Sequence, residues 1–164
     1  MFFRNQFFFI GTTFQKKSSL QDQEIMRILS SHDIGEQKNQ YLALIKRAGP
    51  ANAQEALMKS GLPFTGQTHL LNHAVGEWLF DMQGVEGITS CKEYFLASCY
   101  HGLIIKAIGV YGTGNAGTRI LAACKNKSPL VLTQCSHALG HGLLVWNGYA
   151  NLLASLHHCD TITD

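Results

Sequence analysis

Between Glu93 and Asp160 the chain carries no aspartate or glutamate. Calcium and magnesium need several oxygen ligands, so so long a stretch without carboxylates argues against either ion there. It also implies a segment that is mostly buried or covered. Charged residues of both signs make up only 15% of the 164-residue chain, against about 25% in an average soluble domain. The lysines and arginines of the later half, Lys106, Arg119, Lys125 and Lys127, are scattered. With no basic stripe to track phosphates, nucleic acid is not an expected partner.

Other familiar signals are missing too. No run of 18 apolar residues occurs, so the body of the chain is not expected to span a bilayer. There is no Gly-x-Ser-x-Gly elbow, no phosphate-binding loop and no C-x-x-C-H haem attachment sequence. The segment from Gly112 to Gly117 matches the dinucleotide glycine pattern in spacing alone; it follows an expected helix rather than a strand and reads as a turn. Neither His69-Leu-Leu-Asn-His73 nor His137-Ala-Leu-Gly-His141 has the glutamate in second place that a zincin helix requires.

What is present is helical punctuation. Residues 1–19 join Arg4 to the apolar run from Phe7 to Phe14 and read as a weak export signal, a clipped membrane anchor or a disordered start. Residues 20–164 read as one helical domain. Leu20 to Leu29 and Gln37 to Arg47 have helical composition, the second closed by Ala48-Gly49-Pro50. Asn52 is expected to cap a short helix from Ala53 to Ser60, and His32 reads as a lone surface histidine.

From Thr68 the texture changes, and three units of about 68–98, 99–134 and 135–164 can be laid over one another. His69 precedes Cys91 by 22 positions, His101 precedes Cys124 by 23, and His137 precedes Cys159 by 22. Each unit breaks near its middle, at Gly84 and Gly87, at Gly112-Thr-Gly-Asn115, and at Asn147-Gly148. The expected fold is therefore all-α, built of stacked helix-hairpin repeats in a solenoid-like array. The first unit fits least well, because Ser90 and Glu93 could form a capping box that starts a helix at Cys91. The last unit reads as incomplete, since another cysteine is expected about ten residues beyond Cys159.

Cysteines bracket the joints between units, so Cys91 with Cys99 and Cys124 with Cys135 are the candidate disulfides. The competing reading is five buried cytosolic thiols. Paired cysteines would place the chain outside the reducing cytosol.

Histidines supply the chemistry. His69 and His73 are four apart on one expected helix, and so are His137 and His141, so each pair shares a helix face and can grip one ion. Eight histidines scattered at random would give fewer than one such pair. His101 holds the matching place in the middle unit, so stacking would let five imidazoles converge. Imidazole suits zinc, copper, iron or nickel. Glu77 extends the first stripe by a turn and is the candidate general base, against the plainer reading of a solvated glutamate. Glycines flank the histidines at Gly76, Gly102, Gly140 and Gly142. Glycine in a helix interior costs about 1 kcal/mol relative to alanine, so something is expected to approach the backbone there, either a neighbouring helix or a flat ligand such as haem.

The elements Cys99-Tyr-His101-Gly102 and Cys135-Ser-His137-Ala-Leu-Gly-His141-Gly142 resemble those of a group of uncharacterised bacterial helical proteins. In that group C-x-H-G and G-x-G-H motifs recur, often behind an N-terminal anchor. The resemblance covers a little over half of the chain, from about Thr68 to Asp160, with Ala138 standing where the group has glycine. It implies export, a helical repeat and no particular activity. Three functions follow from the residues: a transition-metal protein with a multi-histidine site, a disulfide-stapled structural or partner-binding repeat module with buried histidines, and a haem-binding or redox protein. A protein partner, and membrane anchoring through the N-terminus, are compatible with each.

Overall fold

The computed structural model describes residues 20–163; the export-signal, anchor or disordered-start reading of residues 1–19 lies outside them. Among the described residues there are eight α-helices and no strand. The first three are α1 (Leu20–Ser30), α2 (Ile34–Ala48) and α3 (Pro50–Lys59). Asp33 starts α2 by accepting from the Gly35 and Glu36 amides, satisfying two of the donors that a helix N-terminus leaves open. The expected Asn52 cap is not the one used. The helix begins at Pro50, whose missing N–H and fixed φ suit a first helical position, and Asn52 Nδ2 instead donates to the Ala48 carbonyl at 2.8 Å.

The repeat units are α4 (Gly66–Gln83) with a 3-10 segment (Gly84–Ser90), α5 (Tyr94–Tyr111) with α6 (Thr113–Lys125), and α7 (Pro129–Asn147) with α8 (Leu152–Thr163). Their first helices form one layer, α4 on α5 and α5 on α7. Their second elements form another, with the 3-10 segment on α6 and α6 on α8. This is the stacked helix-hairpin arrangement expected of the sequence. The core runs through the first layer, and α5 is its centre, with Cys99, Leu103, Ile104, Ala107 and Ile108 fully buried. By length and composition α5 could cross a membrane, yet more than half of it is buried inside the protein.

Three local expectations are corrected. In the first unit the second helix is a 3-10 segment, because only seven residues separate α4 from Cys91, and they include two glycines and three β-branched residues. No capping box forms at Ser90 and Glu93; α5 starts at Tyr94 behind a Glu93 that makes no side-chain cap bond. Gly112 alone makes the middle turn, at φ 74°, and the helix resumes at Thr113.

The disulfides are those expected. Cys91 joins Cys99 and Cys124 joins Cys135, with Cα atoms 5.5 and 6.6 Å apart. Each fastens the end of one unit to the first helix of the next. Cys159 is half-buried on α8, where burial first and then Asp160 raise its thiol pKa.

Glycine sets the tightest helix contact. A Cβ on Gly76 would sit 1.9 Å from the Cys99 carbonyl oxygen, and one on Gly102 would sit 2.1 Å from that of His73. The backbones of α4 and α5 therefore touch where His73 and His101 branch off. Gly142 is pressed by Ile104 and Ile108 of α5, whereas Gly140 has nothing within 4 Å of its added Cβ. Close approach thus explains three of the four histidine-flanking glycines, and at all three the approaching group is another helix.

Candidate metal centre

The α4/α5/α7 layer turns one edge toward an open groove of about 540 Å³ lined by all five predicted histidines. Leu70, Leu96, Ile105, Val145 and Tyr149 complete its walls. The four-residue spacing brings His69 beside His73, with ring centroids 4.7 Å apart, and His137 beside His141, at 4.6 Å. His101 stands between the pairs, 5.2 Å from His69 and 4.9 Å from His141.

The ligand atoms fall into two triads, His69 with His73 and His101, and His101 with His137 and His141. Within each, one nitrogen per residue lies within 4.8 Å of the others. These are histidine groups that can hold a metal ion. Neither includes His32, which is exposed beside α2, or His157 and His158 of α8.

The first triad is oriented from behind. His69 Nδ1 lies 2.8 Å from the Phe95 carbonyl oxygen, and only an N–H can complete that contact, so Nδ1 is the donor and Nε2 carries the free lone pair. That Nε2 faces His73 Nε2 at 3.0 Å and His101 Nδ1 at 3.3 Å. One lone pair cannot serve two nitrogen donors well, whereas a cation among the three nitrogens would satisfy all of them.

The Phe95 carbonyl reaches His69 through an unusual turn. Phe95, Leu96 and Ala97 have φ of 53°, 54° and 57°, the left-handed region that costs an L-residue roughly 1–2 kcal/mol. Cys99 is bonded to Cys91 just beyond it, and Asn72, between the two α4 histidines, donates to Ser98 Oγ at 2.8 Å. The turn is thus held just beyond its C-terminal end.

Burial keeps His73 and His101 neutral. It is the main reason that the His73 pKa is pushed down to about 4, with His69 and Lys38 contributing. His101 is pushed down to about 3 by burial and then by the four surrounding histidines. The His141 pKa is lowered by burial, then by His137 and His69. A neutral ring at physiological pH is the form that ligates.

Glu77 follows His73 by one turn, but its carboxylate is held by Lys38 Nζ at 2.7 Å and belongs to neither triad. Lys38, on α2, had no signal in the sequence that could attach it to the site. The Phe95 carbonyl and the apolar walls were likewise invisible there, since a left-handed turn of three non-glycine residues has no sequence signature and an apolar residue reads as core. Comparison of the chain with protein-family models, with curated proteins and with solved structures returns no match, so the site is read from its own geometry.

Proposed function

We propose that this protein binds a transition-metal ion, zinc, copper, iron or nickel, in its five-histidine groove. The observation that carries the reading is His69, fixed by the Phe95 carbonyl with Nε2 turned toward two further imidazole nitrogens. A histidine that donates its outer N–H to a carbonyl and aims its other nitrogen inward is the usual arrangement of a metal ligand. Three imidazoles without a carboxylate suit these borderline ions. Three protein ligands beside an open groove would also leave a coordination position for water or a small ligand, as catalytic rather than purely structural zinc sites do. Glu77 could serve as a base for such a water only after leaving Lys38.

The setting we propose is extracytoplasmic. Two disulfides persist in oxidising compartments and are rare in the cytosol, and the export implied by the recurring cysteine and histidine motifs agrees. The test is calorimetric titration of the metal-free protein with zinc, alongside a variant in which His69, His73, His137 and His141 are all replaced by alanine. The proposal expects saturable binding that the variant weakens by at least tenfold. Unchanged affinity after loss of these four imidazoles would refute it.

A further inference from the structure

His101 belongs to both triads. Its Nδ1 lies 3.3 Å from His69 Nε2, inside the first triad. Nε2 is buried and has no hydrogen-bond partner among the described residues, although the residue is only 6% exposed. A buried nitrogen left unsatisfied is unfavourable and calls for an explanation. The ring also stacks on His141 and lies 5.9 Å from His137.

A single ion does not account for this arrangement. The two nitrogens of an imidazole point away from each other, so one ring cannot turn both to the same ion. The five histidines also form two overlapping groups rather than one. We propose, resting on the metal reading of the groove, that the site is binuclear. One ion binds His69, His73 and His101 Nδ1, a second binds His137, His141 and His101 Nε2, and His101 bridges them. When the second ion binds, the remaining ring N–H of His101 gives its proton to solvent. The ring becomes an imidazolate with two nitrogen–metal bonds, and no electron is transferred. The groove is open beside both triads and admits the small anions that balance the remaining charge.

The experiment is metal titration of the full chain, with zinc for stoichiometry and copper(II) for the bridge. The copper arm uses a Cys159→Ser background, so that a thiol lining the adjoining pocket with His137 and His141 cannot reduce the metal. Native mass spectrometry should show two zinc ions in the parent, and one each in His69→Ala/His73→Ala and His137→Ala/His141→Ala. The second pair lies at exposed positions, where substitution spares the core. Copper(II) should give a full paramagnetic resonance signal at one equivalent. Most of that signal should disappear at two, because an imidazolate couples the two spins. Saturation at one ion would overturn the bridge and leave the proposed function standing, as would two ions with a full, uncoupled copper signal. No bound ion at all would overturn both.

Discussion

Leu96 is exposed at the edge of the groove, yet its backbone is left-handed. Glycine adopts that conformation without penalty, so Leu96→Gly should leave the melting temperature unchanged or raise it. Leu156→Gly, at a half-exposed position in a right-handed helix, should lower stability by about 1 kcal/mol or more. Equal losses at the two sites, measured by thermal melting, would show that the turn stores no strain. Glu77 is tied to Lys38 in a partly exposed ion pair, and such pairs contribute at most about 1 kcal/mol. Glu77→Gln should therefore keep the metal and change stability by less than that amount. Loss of the metal in this variant would bring Glu77 into the coordination sphere.

The α4–α5 crossing is the element that brings His73 to His101. Alanine at Gly102 has to displace the His73 carbonyl, and such overpacking costs on the order of 1–3 kcal/mol. Gly102→Ala should destabilise the fold and separate the first triad, while Gly140→Ala, with open space around it, should be tolerated. Chemical denaturation of the two variants would check the contrast. The joints matter in a similar way. Closing loops as short as Cys91–Cys99 and Cys124–Cys135 contributes about 2–3 kcal/mol each by restricting the unfolded chain. Reduction should lower the melting temperature by roughly 10 °C or more, and an unchanged melt would deny the staples a stabilising role. These elements were the part most legible in the sequence. The His-to-Cys spacing placed α4, α5 and α7 in register because each unit buries its apolar face on the next, and the i, i+4 histidines follow from helix geometry alone. The helix proposed after Gly84 was not legible, because a repeat spacing fixes where a segment lies and not whether seven residues with two glycines can complete an α-helix.

At the scale of the whole molecule, the acid-free stretch after Glu93 is buried along α5 but not throughout: α7 and α8 leave Val145, Trp146, Leu152, Leu153 and Leu156 exposed, which corrects the expectation of a mostly covered segment. The imidazoles meet on the open edge of the first-helix layer. The convergence of His69, His73, His101, His137 and His141 could be read from the repeat register. The division into two triads could not, since it depends on which ring nitrogen faces which neighbour. That the Phe95 carbonyl fixes His69 was equally hidden, because it depends on the backbone turning left-handed at three ordinary residues. The central claim is that these nitrogens hold a metal, and X-ray absorption at the metal edge of the purified, metal-loaded chain tests it most directly. The account predicts stoichiometric metal with a first shell of nitrogen at about 2.0–2.1 Å for zinc and the outer-shell scattering of imidazole rings. A first shell of oxygen alone, or metal removed by simple buffer exchange, would contradict it.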